Sequence, residues 1–465
     1  MVRISKITVK NFKNVEFGSL SFKNGKDCRA SILGLYGQNG SGKTVLIDAI
    51  ELLKYLLCGK SLPGKFADSI RIGCDTAEVL YDFDIVLGTE TFSCTYEVSI
   101  KKENNNAENI QNPETEKSKT FVSREVLKTF IYSATGGRKG KLIDTGTPES
   151  PFTPEAKIWL LTGSGKNEKI DCIVAKKITE KLCSSFIFSA EFLSLVRNND
   201  STSKERKHYC DLIEALVHFG NKELFTVKTS NTGVISLNTQ PLSFTFRDER
   251  GIDTIGSVVI PLDRSVVISE TSFHLLQKVI SNMNIVLTQI IPGLTIGIKN
   301  LGEQITDQDE AGIRIQLISK RDGKEFPLYY ESEGIKKIIS ILRLLIVVYN
   351  QDSITVAIDE LDSGIFEYLL GELLRIISEK GRGQLIFTSH DLRPLETLDK
   401  DFVAFTTTDP KNRYIRFKNV KKNNNLRDFY YRDIMLCEGD TPVYDETNNS
   451  EIAFAFREAG DALGS

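Results

Sequence analysis

An α/β fold is predicted for this chain of 465 residues: a mixed sheet with flanking helices, an antiparallel β subdomain, and a large α+β insertion between two halves. Three observations predict it. A short apolar strand, Ala30 to Tyr36, runs straight into a glycine-rich loop and then a helix. From Gly334 onward helix and strand alternate, which implies parallel strands. Over residues 2–23 and 77–100 the pattern is instead β-rich and alternating, as in antiparallel hairpins.

In chain order, Ile4, Ile7 and Val9, then Val15, Phe17 and Leu20, mark a hairpin. After the strand to Tyr36 and its loop, Leu46, Ile47, Ile50, Leu53, Leu56 and Leu57 recur at helical spacing. Val79–Val86 and Thr91–Ile100 return to strand character. Lys101–Lys119 is too polar to bury a face and is expected to be a loop. Residues 121–260 mix strands and helices without a repeat. A helix over about 269–291 stops at Pro292-Gly293, and Asp322-Gly323 turns between β-rich runs at 313–318 and 326–330. Then come a helix from Gly334 to about Asn350, a strand at 354–358, a helix at 366–380, strands at 384–388 and 402–405, a basic hairpin-like segment and a polar tail. The organisation expected is an N-terminal part over 1–120, an insertion over 121–325 and a C-terminal part over 326–465.

Apolar residues make up 40% of the chain and charged residues 26%, a globular composition. The net charge of −3, from 59 basic and 62 acidic side chains, gives no whole-protein attraction to nucleic acid or anionic lipid. Eight scattered cysteines form no CxxC pair, so reduced thiols in a cytoplasmic protein are expected. The N-terminal residues carry no apolar signal-peptide core, and no apolar run reaches about 18 residues, so a membrane partner is not expected.

The chemistry is carried by three segments. Gly37-Gln38-Asn39-Gly40-Ser41-Gly42-Lys43-Thr44 fits GxxxxGK[ST] in full, between a strand and a helix as a phosphate loop requires. Its glycines let the backbone curl N–H groups toward phosphate oxygens, and the helix aims its positive end at the same anion. Lys43 is positioned to reach the β and γ phosphates of ATP, and the Thr44 hydroxyl to ligate Mg²⁺. The apolar strand Ile354–Ile358 ends in Asp359-Glu360. Such an ending is by itself often only a strand end; beside a complete phosphate loop, Asp359 suits the Mg²⁺ shell and Glu360 the polarising of an attacking water. The strand 384–388 delivers His390, one of four histidines, either structural or a hydrogen-bonding sensor of a γ phosphate. Ser332-Glu333-Gly334 opens a helix with a hydroxyl, a glycine and a helix N-terminus, a second anion site or simply a helix cap.

The order of phosphate loop, ESEGIKK (Glu331–Lys337), VAIDELDSG (Val356–Gly364) and TSHD (Thr388–Asp391) resembles the ABC-type ATPases. The opening ITVKNFKN (Ile7–Asn14), the NLRDFYYRDI and VYDETNN segments (Asn425–Ile434, Val443–Asn449) and the long insertion resemble the RecF/SMC/OLD-like branch of AAA family ATPases. The resemblance implies an ABC-ATPase head, with Glu360 catalytic, Asp362 in the D-loop, His390 as the switch histidine and Ser332-Glu333-Gly334 as the signature loop. It also implies that the signature closes over the ATP of another copy, so a homodimer or higher homo-oligomer is expected. No convincing Q-loop glutamine follows the phosphate-loop helix.

The roughly 75 residues after His390 hold no Glu-then-Asp-x-Asp metal arrangement, and no long heptad arms are present. The size and layout resemble standalone phage-defence ATPases (AriA of PARIS, AbiL-type, PtuA of Septu), which implies a separate effector, expected to be a nuclease. DNA is not required by this reading. The basic stretch Lys411–Lys422 would suit DNA phosphates or an acidic partner, or else is a hairpin edge defended by lysines.

Overall fold

The computed structural model describes residues 1–23, 31–102, 119–133, 136–163, 166–199, 203–228, 239–247, 253–305, 311–417, 425–436, 442–445 and 447–463. The expected loop at 101–119 and the lysines at 418, 421 and 422 lie almost wholly outside them. The chain opens with β1 (Val2–Phe12), β2 (Val15–Ser21), β3 (Ser31–Tyr36) and α1 (Lys43–Leu57). Next are β4 (Thr76–Leu87), β5 (Glu90–Lys102), β6 (Thr120–Ser133) and β7 (Gly136–Asp144). Four helices follow: α2 (Glu155–Thr162), α3 (Lys166–Leu182), α4 (Ala190–Arg197) and α5 (Lys204–His218). Then come β8 (Leu224–Val227), β9 (Thr239–Arg247), β10 (Asp253–Pro261), β11 (Val266–Ser269) and α6 (Glu270–Ile290). After these lie β12 (Thr295–Ile305), β13 (Ala311–Arg321), β14 (Lys324–Pro327) and α7 (Glu333–Asn350). The rest is β15 (Thr355–Ile358), α8 (Glu367–Lys380), β16 (Gln384–Thr388), α9 (Pro394–Thr397), β17 (Val403–Thr406), β18 (Tyr414–Ile415), α10 (Leu426–Leu436) and α11 (Asn449–Leu463).

Two six-stranded sheets organise the fold. The first is antiparallel, in the order β2-β1-β4-β5-β6-β7. The second runs β18-β17-β3-β16-β15-β8, with every pair parallel except β17–β18. The α/β alternation after Gly334 thus produces the parallel strands it implies. Side chains along β3 alternate between two cores. Leu33 and Leu35 join the core shared with α1 and the antiparallel sheet; Ile32 and Tyr36 join the one shared with α6, α7 and α8. That is the period-2 rule applied to a strand covered on both faces. Helix α1 is wedged between the sheets. Its Leu46, Ile50, Leu53 and Leu57 are fully buried, each stabilising by about 1.5–3 kcal/mol, and Tyr81 of β4 donates from its hydroxyl to the Ala49 carbonyl at 2.6 Å.

Strands of the segment 121–325, expected as an insertion, pair with strands on either side of it. Strands β6 and β7 complete the antiparallel sheet, and β8 pairs with β15 in the parallel one. Ladder hydrogen bonds therefore tie 121–325 into both sheets, and its described elements outside them are helices α2–α6 and the smaller sheets of β9–β10 and β11–β14. Asp322 and Gly323 turn with φ of 49° and 73°, the conformation a two-residue hairpin favours. The strand expected at 326–330 ends at Pro327 and becomes a 3₁₀ turn over Leu328–Tyr330. The polar tail contains two helices, α10 and α11.

Candidate active site

Strand order explains why residues far apart in sequence meet. In a parallel sheet the loops leaving the C-terminal ends of neighbouring strands emerge on one edge. The loop after β3 is Gly37–Gly42, that after β16 begins at Ser389, that after β15 begins at Asp359, and β17 ends at Thr406. Together with the turn between β1 and β2 they enclose a cleft of about 480 Å³ lined by Lys13, Asn14, Asn39, Gly40, Gly42, Lys43, Thr44, Val45, Asp359, Glu360, Thr388 and His390.

The loop is held from beneath. A Cβ on Gly37 would lie 1.8 Å from the Thr406 hydroxyl, so only glycine lets the backbone cross there. Ser41 donates to the Gln38 carbonyl at 2.6 Å and bonds the Thr406 hydroxyl. The Tyr414 hydroxyl donates to the Gly42 carbonyl at 3.1 Å, and Asn14 donates to the Gly40 carbonyl. The Gln38 side chain accepts the Asp445 backbone N–H at 2.9 Å. No side chain caps the start of α1 and no acid lies in its first turn, which leaves its N–H groups turned to the cleft.

Lys43 donates to the Gly37 and Gln38 carbonyls at 2.7 and 2.9 Å. Burial pushes its ammonium down to about 8, against the opposing pull of Asp359, Asp362 and Glu360. Thr44 donates to Asp359 Oδ1 at 3.3 Å, and Thr388 donates to the same oxygen at 2.6 Å. Thr388 also accepts the Glu360 N–H at 2.8 Å. Glu360 sits at φ 49°, a strained position for a residue with a side chain. The side chains of Glu360 and His390 take no hydrogen bond from any described residue.

Asp362 stands behind this cluster. Its Oδ2 accepts the N–H groups of His390 and Asp391 at 2.9 and 3.0 Å, fixing the loop that carries His390. Ser332, Glu333 and Gly334 do not line the cleft. Ser332 caps α7, accepting the Ile335 N–H at 3.4 Å, and a Cβ on Gly334 would meet the Gly364 carbonyl at 2.1 Å. The signature candidate is thus packed against the loop of Asp362, and Arg321 braces it by donating twice to Glu331, at 3.2 and 3.0 Å. Lys337, one turn into α7, is buried, and burial lowers its ammonium while Asp362, Glu360 and Asp359 pull the other way.

Sequence reasoning gave no site role to Lys13, Asn14, Thr388, Thr406, Tyr414 or Lys337. Lys13 and Asn14 close the ITVKNFKN segment, Thr388 opens TSHD and Lys337 ends ESEGIKK, so motif context was the available signal for these four; Thr406 and Tyr414 had none. The residues present fit the expected ligands. The loop offers N–H groups and an ammonium to phosphate, and the Thr44 hydroxyl with the Asp359 carboxylate is a hard-oxygen set suited to Mg²⁺.

The chain matches the family model described as AAA domain over residues 6–329. It belongs to that AAA domain family. Ser332, Asp359, Glu360 and His390 lie beyond the matched segment. Among curated proteins it is similar to the DNA replication and repair protein RecF of Carboxydothermus hydrogenoformans, 37% identical over 76 residues, which is 16% of this chain and 19% of that protein. Among solved structures it is similar to the SmcHead bound to the C-winged helix domain of ScpA (14% identical, 90% of this chain and 98% of that one, TM-score 0.44). The SMC head domain from Thermotoga maritima (13%, 90% and 99%, 0.38) and RecF with ATP (16%, 83% and 94%, 0.34) are further examples. Among the described residues no helix is long and apolar enough to cross a membrane.

Proposed function

We propose that the chain binds ATP with Mg²⁺ in this cleft and hydrolyses it when a second copy closes the site. The observation that carries the reading is the convergence of Lys43, Thr44, Asp359, Glu360 and His390 on one cleft from three separate loops. Lys43 holds the β and γ phosphates, and the N–H groups of the loop and of α1 hold the remaining oxygens. Thr44 and Asp359 would hold a Mg²⁺ ion, which would supply neutralisation of the phosphate charge. Glu360, its carboxylate facing the cleft, orients and polarises the attacking water, and His390 donates toward the γ phosphate. Ser332, Glu333 and Gly334, away from the chain's own cleft, supply the N-terminus of α7 to the nucleotide of the other copy.

Turnover of ATP by the purified chain tests this. Glu360→Gln should lower hydrolysis by roughly 10²–10⁴-fold while leaving nucleotide bound. Wild-type turnover no greater than that of this variant would overturn the reading. A finer one, resting on the resemblance to standalone phage-defence ATPases, is that ATP turnover gates a separate effector, a nuclease or toxin, and that phage sensing triggers it. Co-expression with the product of the neighbouring gene, followed by co-purification, tests it. The 76-residue likeness to RecF carries the alternative, a DNA-repair ATPase, which duplex binding that weakens steeply with salt would favour.

A further inference from the structure

Helices α3 and α11 turn apolar faces to solvent. Helix α3 packs inward through Cys172, Ala175 and Thr179, and its outer face carries Ile170 (56% exposed), Ile173, Val174, Ile178 and Leu182. The second is α11, exposed at every residue from Asn449 to Gly460. Ile452, Ala455, Phe456 and Ala459 share one stripe of it, and Phe456 is 77% exposed. A 15-residue helix standing alone is marginal in water, so α11 needs a surface to lie on.

The two faces suit one another. Among the described side chains, helix α3 carries four lysines (Lys169, Lys176, Lys177, Lys181) against Glu168, Asp171 and Glu180. Among the described side chains, helix α11 carries one arginine, Arg457, against Glu451 and Glu458. Lys177, which pairs with Glu180 of its own helix at 2.8 Å, and Lys181 are exposed beside the apolar ladder of α3, and Glu451 and Glu458, two turns apart, flank the stripe of α11. Ala455 and Ala459 allow close approach, while Ile452 and Phe456, four residues apart, are spaced as anchors of a helix lying in a groove. The segment before α11 is seated: Val443 is buried, and the Asp445 N–H bonds Gln38.

We propose that α11 of one copy docks on the outer face of α3 of a second copy, and reciprocally. The contact is independent of the nucleotide-closed one and forms without ATP. It is a self-complementary exchange, with the same pair of helices meeting twice in each dimer.

The test is molar mass by light scattering, without nucleotide and over a range of concentrations. Wild type and Lys43→Ala should both run at twice the chain mass or more. Glu451→Lys with Glu458→Lys, or Lys177→Glu with Lys181→Glu, should each raise the dissociation constant at least about tenfold, and all four changes in one chain should restore it. These positions are exposed, and circular dichroism verifies folding. A monomer at every concentration, assembly only with ATP, or loss without restoration by the fourfold variant would each overturn the proposal. Assembly only with ATP would do so while leaving the proposed ATPase intact.

Discussion

The cleft at the phosphate loop and the interior of the antiparallel lobe both bury charge, and they do it in opposite ways. In the lobe, Glu125 of β6 is fully enclosed, and its oxygens accept from the Tyr96 hydroxyl, the Ser185 hydroxyl at 2.5 Å and the Phe186 N–H at 2.7 Å. Burial raises its carboxyl above the ordinary range, and those bonds offset the rise. In the cleft, Lys43 bonds only carbonyls of its own loop, and Glu360 and His390 project side chains that no described residue hydrogen-bonds. A closed set of bonds holds a lobe together. A convergent set left open toward a cleft is built around something that arrives.

The comparison breaks if changes in the two regions have the same consequences. The largest effect is expected from Lys43→Ala: nucleotide affinity falls at least about a hundredfold with the melting temperature nearly unchanged, read by calorimetry and thermal melts. Glu125→Ala should do the reverse. Leaving Tyr96, Ser185 and Phe186 N–H without an acceptor costs about 3 kcal/mol or more of stability, read by urea unfolding, while folded protein binds nucleotide as before. Thr388 sharpens the line between the regions, because its one hydroxyl serves both the fold and the cleft. Thr388→Val should cost about 1–2 kcal/mol and slow hydrolysis roughly tenfold.

The smallest effect is a pH dependence. Two Arg124 bonds, at 3.0 and 2.9 Å, and one from Lys141 at 2.7 Å hold the Asp144 carboxyl well below the usual carboxylate range. The folded state therefore binds that proton more weakly than the unfolded state. Its stabilisation is fully present above the unfolded pKa of about 4 and is lost as pH falls below it. Arg124 is 44% exposed, so solvent screening keeps the contribution below about 1 kcal/mol. Asp144→Asn should flatten that part of the acid limb.

What was legible in the sequence was what is local. Gly37–Thr44 is eight consecutive residues with a single geometric purpose, and Asp359-Glu360 ends an apolar strand, so both could be named without the fold. Thr406 and Tyr414 could not, because they reach the loop only once β17 lies beside β3. The pairings of β6 and β8 were hidden for the same reason: nothing local says that β6 pairs with β5 or that β8 takes the edge beside β15. Helix α11 was hidden behind polar residues 444–450, although Ile452, Phe456 and Ala459 already carried its period.

The central claim, a site shared between copies, is tested most directly by mixing two inactive chains. Lys43→Ala lacks the phosphate grip and Ser332→Arg blocks the α7 N-terminus offered to the other copy. Each alone should be without turnover, whereas an equimolar mixture should recover about a quarter of wild-type ATPase, since half the dimers then hold one intact site. Full turnover by Ser332→Arg alone, or no recovery from two folded chains that assemble together, would contradict the account.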